Sequence, residues 1–211
     1  MQAIKPSFEI LRATTDLENL IEIAGRVCYK SEDKITPDSA VKFIGRLQES
    51  KHESVLEHGA ITVKITCDRG VSHELVRHRI ASYSQESTRY VNYAKEKYGA
   101  EITVIDLSSG FNYDMLNDSH KLRYELWKSA MENAERAYMS MLSAGASPQE
   151  ARSVLPNSTK TEVVITTNPR EWLHIFKLRT AQTAHPQMRE IMIPLQTEFQ
   201  KQWPAIFGSN D

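Results

Sequence analysis

Cysteine is almost missing from this chain. Cys28 and Cys67 are the only two in 211 residues, far apart and in no metal-binding spacing. That argues against a disulfide framework and for a reducing compartment, with both thiols expected in the core. An excess of charge is missing too: 26 Lys and Arg stand against 27 Asp and Glu, a net charge of −1. The global field therefore draws the chain neither to nucleic acid nor to a membrane, and anion binding has to come from local clustering. No apolar run approaches the roughly 20 residues of a membrane span. The N-terminal MQAIKPSFEILRATTD lacks the basic start and apolar stretch of a secretory signal. These absences imply a cytoplasmic protein. No repeat, low-complexity tract or linker divides the chain, so residues 1–211 read as a single domain. The nucleophile elbow GxSxG, the phosphate loop GxxxxGKS/T and the dinucleotide fingerprint GxGxxG are all lacking.

What is present is a mixture of strand and helix patterns. Phe8–Leu11 predicts a short strand. In AITVKITCDRG, Ile61, Val63, Ile65 and Cys67 alternate with Thr62, Lys64 and Thr66, the period of a half-buried strand. ITVIDL and TEVVITTN predict two more strands. Thr15 and Glu18 form a capping box ahead of Leu17, Leu20, Ile21 and Ala24 at helical spacing. Thr36-Pro37 opens a second helix with Val41, Ile44 and Leu47 inward. A helix is predicted to start in VSHELVRHR, and a long one over 119–144, with Leu122, Leu126, Ala130, Ala134, Ala137 and Met141 as its apolar stripe. Ser147-Pro148-Gln149-Glu150 and Asn168-Pro169-Arg170-Glu171 are helix starts. A last helix runs from Pro186 to Phe207, bent or broken near Pro194. Separated strands and helices of this kind indicate an α+β fold with a mainly antiparallel sheet flanked by helices.

One stretch concentrates anion-binding chemistry: RHRIASYSQESTRY, residues 77–90. Arg77 and Arg79, at i and i+2, do not share a helix face and can grip different groups. A guanidinium donates two parallel hydrogen bonds to phosphate. Ser82, Ser84, Ser87 and Thr88 add hydroxyls, and Arg89 a third guanidinium. A polar loop pinned to a rigid strand is a common way to build a binding site. On composition alone the stretch suits equally a solvated charged turn. Further on, Arg152, Arg170, Lys177, Arg179 and Arg189 form a second basic group. Arg170 falls in the first turn of its helix, where a cation opposes the helix dipole unless an anion sits there. The histidines have no metal-ligand spacing: His73 and His78 are five apart, and His52 and His58 lack a third partner. They read as hydrogen-bonded structural groups, and no metal is expected. Trp127, Trp172 and Trp203, and Met131, Met139 and Met141, read as packing residues. These features support a binder of small phosphorylated or otherwise anionic ligands; a nucleic-acid binder using Tyr83, Tyr90 and Tyr93 and a metal-dependent hydrolase using the histidines are the other classes.

RHRIASYSQESTR resembles the RHRxxSxNxxSxR signature of the flavin-dependent thymidylate synthases. Arg77, His78, Arg79, Ser82, Ser87 and Arg89 match, and Ser84 stands where the signature has Asn. HESVLEH (52–58), ARSVLP (151–156) and TTNPREWLHIFKLR (166–179) resemble other segments of that family, in the same order along most of the chain. The resemblance implies the family's fold and its reaction, the reductive methylation of dUMP to dTMP without a cysteine nucleophile. Methylenetetrahydrofolate would supply the carbon, reduced FAD the hydride, and NADPH the electrons for the flavin. It implies flavin contacts at His52, Ser54, Glu57, Arg77, His78, Arg79, Ile80, Gln85, Asn168, Arg170 and His174. It implies dUMP contacts at Glu74, Arg77, Gln85, Glu86, Ser87, Thr88, Arg89, Arg152 and Arg179, with Arg179 in the catalytic role. Gln85 stands where relatives can have Glu, Thr88 where they can have Gly, and His174 where some have Asn. The resemblance also implies a homotetramer with active sites shared between subunits.

Overall fold

The computed structural model describes residues 1–96 and 99–208. In chain order its strands are β1 (Gln2–Ile4), β2 (Ser7–Ala13), β3 (Ile61–Asp68), β4 (Ser82–Gln85), β5 (Thr103–Ile105) and β6 (Lys160–Thr167). Four of them make one sheet in the order β2-β3-β6-β4, with every neighbouring pair antiparallel. The central pair follows from alternation. Ile61, Val63, Ile65 and Cys67 of β3 and Val163 and Ile165 of β6 are fully buried, while the residues between them are only partly covered. β4 sits at an edge, where its polar SYSQ sequence exposes alternate residues. It is a strand where the sequence suggested only a polar loop. ITVIDL supplies β5, which pairs in parallel with β1 in a separate two-stranded sheet.

Helices cover the apolar side of the larger sheet: α1 (Leu17–Tyr29), α2 (Ser39–Glu49), α3 (Arg69–Leu75), and, after three elements described below, α7 (Pro169–Arg179), α8 (Pro186–Gln202) and α9 (Pro204–Phe207). Trp172, Phe176 and Phe199 are the largest side chains there and are essentially inaccessible. Trp172 adds a hydrogen bond from Nε1 to the Ile61 carbonyl, 3.2 Å, which ties α7 to β3. Gly25 lets α1 approach α2: a Cβ there would lie 2.7 Å from the Phe43 ring. A smaller core forms where α5 (Asp118–Ser143) meets Tyr93, Ile102 and Val104, with Ala151 of α6 (Pro148–Ala151) beside them, while α4 (Leu107–Gly110) packs on α8, where the Ser109 hydroxyl donates to Glu190.

Five expectations need correction. Glu18 does not complete a capping box with Thr15; its carboxylate accepts the Ala205 N–H at 2.7 Å, fastening α1 to the C-terminal turn. The α2 helix begins at Ser39 and not at Pro37, because the Ser39 hydroxyl accepts the Thr36 N–H and closes a turn first. Its buried face is Phe43, Ile44 and Leu47, and Val41 is exposed. The long α5 helix turns a different face inward. Leu122 and Leu126 are 61% and 63% exposed, whereas Met131 and Tyr138 are buried beside Trp127 and Leu142. Polar handles fix that rotation: Trp127 Nε1 donates to Ser158 Oγ at 3.1 Å, and the Tyr138 hydroxyl accepts the Tyr93 N–H. α8 continues through Pro194, which faces solvent between buried Ile191, Met192 and Leu195, and the break comes at Trp203. Finally, Cys67 is a core thiol but Cys28 is exposed.

Candidate active site

Two helix caps and one strand edge build the site. The Asp68 carboxylate accepts the Val71 N–H at 2.6 Å and starts α3 directly off β3. α3 ends at Leu75, so Arg77 to Ile80 lie in the turn leading to β4. That turn is held by its backbone. The Tyr83 hydroxyl lies 2.8 Å from the Leu75 carbonyl and 2.9 Å from that of His78, and the Thr167 hydroxyl donates to the Ile80 carbonyl. On the other side, Asn168 ends β6 and caps α7 by accepting the Glu171 N–H at 2.9 Å. α7 then carries Glu171 and His174 one turn apart and Arg179 at its last position.

His78 is where the two meet. It is buried, 5% exposed. Arg179 Nε donates to its Nε2 at 3.0 Å, and Glu171 Oε1 lies 3.3 Å from its Nδ1. The rest of the Arg179 fork is held by Glu74: Nη1 reaches Oε2 at 2.7 Å and Nη2 donates to the backbone carbonyl at 2.9 Å. Burial pushes the His78 imidazole down to about 4, and the Arg179 charge and His174 push the same way. The ring is therefore neutral at pH 7, and its approach to Glu171 is not an ion pair. The ring of His174 stands edge-on to that of His78, 5.8 Å away.

His78, Glu171 and His174 also place one ligand atom each within 4.8 Å of one another. The sequence did not signal this trio, because His78 is far from the other two along the chain. Arg179, donating to one of those nitrogens, and exposed Arg77 and Arg79 nearby oppose a cation there. The electrostatics suit an anionic ligand.

Arg179 stands between two cavities. One, of about 370 Å³, is lined by Arg77, His78, Arg79, Ile80, His174 and Leu178. The other, of about 620 Å³, is lined by Glu74, Leu178, Thr183 and His185. Ile80 and Leu178 are exposed at 68% and 45%, an apolar wall ringed by guanidinium groups. Beyond Ile80 and His174 opens a third cavity of about 540 Å³, with Asn168, Arg170, Lys177 and Glu57 on its walls. The first-turn cation Arg170 is countered there by carboxylates of the 3₁₀ turn Glu53–Glu57, at 2.6 Å from Glu57 and 3.3 Å from Glu53. His52 and Ser54 lie across that pair in a further cavity with Cys28, and Tyr29 shares a 2.9 Å hydrogen bond with His52 Nδ1.

The second arm of the motif leaves the opposite end of β4. Gln85 is turned inward, donating to Ser72 Oγ at 2.9 Å and Thr161 Oγ1 at 3.2 Å. Glu86 accepts the Tyr93 hydroxyl at 3.1 Å and pairs with Lys160 at 3.0 Å. Thr88 is buried, and the Ser87 hydroxyl accepts the Arg89 N–H. Arg89 is exposed, with Nε 3.3 Å from Gln149 Oε1, and Arg152 is exposed as well. None of residues 85–89 nor Arg152 lines either cavity around Arg179. One chain thus gathers the predicted flavin contacts Arg77, His78, Arg79, Ile80 and His174 around Arg179, and holds most of the predicted nucleotide contacts elsewhere. Lys160 was not picked out from the sequence. Tyr83 was, but only as an aromatic for nucleic acid, and Glu171 only as the acid of a helix start, a signal that pointed to capping.

A family model described as "Thymidylate synthase complementing protein" matches residues 9–205. The chain is 32% identical over 205 residues to the flavin-dependent thymidylate synthase of Geobacter sulfurreducens, covering 94% of this chain and 84% of that protein. It is 34% identical over 183 residues to the Pyrococcus furiosus protein of the same name, covering 86% and 71%. With the Mycobacterium sp. (strain JLS) protein, also so named, it shares 34% over 210 residues, covering 92% and 81%. With a family match over nearly its whole length and the signature arginines at the ends of one edge strand, the chain belongs to the flavin-dependent thymidylate synthases.

Proposed function

We propose that this protein, acting as one domain over residues 1–211 in the cytoplasm, converts dUMP to dTMP. Its co-substrates would be methylenetetrahydrofolate and NADPH, and FAD its cofactor. The observation that carries this reading is Arg179, held by His78 and Glu74 in the wall between two cavities. The residues fit a flavin. The apolar wall of Ile80 and Leu178 suits an aromatic ring system, and Arg77, Arg79, Arg170 and Lys177 suit its phosphates. Bound there in reduced form, the flavin would supply hydride to the transferred carbon.

Arg77, His78, Arg79, Ile80, Asn168, Arg170 and His174 would bind the flavin with His52, Ser54, Glu57 and Gln85. Arg179 would lie against the uracil ring. Some of its N–H donors are taken by His78 and Glu74, which fixes the fork, and the remaining donors are left for the ring oxygens. Stabilising negative charge on the ring raises the nucleophilicity of C5 without a covalent bond to the protein. The thiols support such a route: burial pushes Cys67 up to about 12, and Cys28 lines neither cavity at Arg179. Arg77, Glu74 and Gln85 to Arg89, with Arg152, would hold the rest of dUMP. Because Glu86 to Arg89 and Arg152 line neither of those cavities, we assign their meeting with Arg179 to subunit contacts in a homotetramer.

The direct test is anaerobic. Reduced, FAD-loaded protein is mixed with dUMP and methylenetetrahydrofolate. Reoxidation of the flavin with formation of dTMP is expected; protein that takes up no FAD, or flavin that stays reduced, would refute the reading.

A further inference from the structure

The Arg179–His78 contact raises a question of proton placement. Arg179 Nε donates to His78 Nε2, so that nitrogen must offer its lone pair. A neutral imidazole carries one ring proton, which then has to sit on Nδ1. The opposite tautomer would set N–H against N–H and release the guanidinium. The group facing Nδ1 is the carboxylate of Glu171, 3.3 Å away and buried with it. We propose that Glu171 is a positioning residue for Arg179: it holds His78 in the Nδ1–H tautomer and thereby aims the catalytic guanidinium. The kinetic part of this rests on the function proposed above.

Glu171 has an ordinary explanation as an acid in the first turn of α7, where negative charge suits the helix dipole. That accounts for its charge and not for its direction. The helix start is already capped by Asn168, which takes the Glu171 N–H, and the Glu171 side chain turns inward instead of toward solvent. The His78 ring is held from both nitrogens, Nε2 by Arg179 and Nδ1 by Glu171, and its backbone carbonyl is within reach of the Tyr83 hydroxyl. Protonating the ring is no alternative at neutral pH, because burial and the Arg179 charge hold it neutral. The arrangement matches a histidine whose tautomer is set through its other nitrogen by a carboxylate.

Two conservative variants separate geometry from charge. Glu171→Gln keeps an acceptor at the same reach and removes the charge. Glu171→Asp keeps the charge and withdraws it by one methylene. The ring tautomer is read by ¹⁵N NMR on full-length, histidine-labelled protein, with His78→Gln to assign the signal. This readout needs neither substrate nor turnover, so it stands even if no dTMP forms in wild type. Wild type and E171Q should show the Nδ1–H form, and E171D a mixture. In dTMP formation, E171Q should keep kcat within about threefold and E171D should lose roughly 10- to 100-fold, with FAD content and KM for dUMP nearly unchanged. An unchanged tautomer in E171D, or a loss in E171Q equal to that in E171D, would overturn the proposal.

Discussion

Exposed arginines stand at both ends of β4, Arg77 and Arg79 before it and Arg89 after it, but only the end before the strand also has one that is held. Before the strand, Arg179 is built into the protein: His78, the Glu74 carboxylate and the Glu74 carbonyl all hold it, and two cavities open on it. After the strand, Arg89 and Arg152 stand exposed, and Arg89 has only weak side-chain contacts, with Gln149 and with the exposed Tyr90 ring. A fixed guanidinium loses little freedom when charge develops beside it, which suits stabilising a transition state. A loose one loses more on binding but adapts to a mobile phosphate. Under the proposed function, the contrast would put chemistry at one end of the motif and capture of the ligand at the other.

The comparison breaks most visibly at Arg179. Arg179→Ala should lower dTMP formation on the order of a thousandfold or more, the scale for losing a preorganised charge at the reacting group. The fold should survive, because Glu74 is partly exposed and can be hydrated once its partner is gone. Turnover assays beside thermal unfolding check both halves, and near-normal turnover would remove the proposed role. At the other end, Arg89→Ala should raise KM for dUMP by about 10- to 100-fold, as expected for one charge-assisted hydrogen bond. Its kcat should stay within about threefold, with no change in melting temperature. A kcat effect as large as that of Arg179→Ala would erase the distinction between the ends.

Different parts of this picture were legible from residues in different degrees. β3 and β6 were readable because period-2 alternation is unambiguous when one face is fully buried. The Asn168 and Ser147 helix starts were readable because capping is local. The face of α5 was not: its leucines repeat well, but aromatic residues with polar tips decided which side turned inward. The Glu18 carboxylate was misread because its partner, the Ala205 N–H, lies 187 residues away. The resemblance picked out the residues that gather at Arg179, yet neither it nor the spacing showed that Glu74 and His78 hold that side chain. A role carried through a neighbour, like that of Glu171, leaves no spacing signal.

The smallest effect sharpens the comparison through pH. His78 titrates near 4 in the folded chain against an ordinary 6.5, chiefly because it is buried. Below about 6.5 the unfolded chain therefore binds a proton that the folded chain refuses. Stability contributed by the neutral ring is complete above pH 6.5 and is lost as pH falls toward 4, with the slope set by the difference in bound protons. Over that window the loss should be on the order of 2 kcal/mol. Urea unfolding of flavin-free protein at pH 7 and pH 4.5 measures it, with His78→Asn as reference so that carboxylates titrating in the same range cancel. The variant should lose less stability than wild type on acidification. Equal losses would mean that His78 is hydrated in solution and that the end of the motif around Arg179 is as open as the end around Arg89.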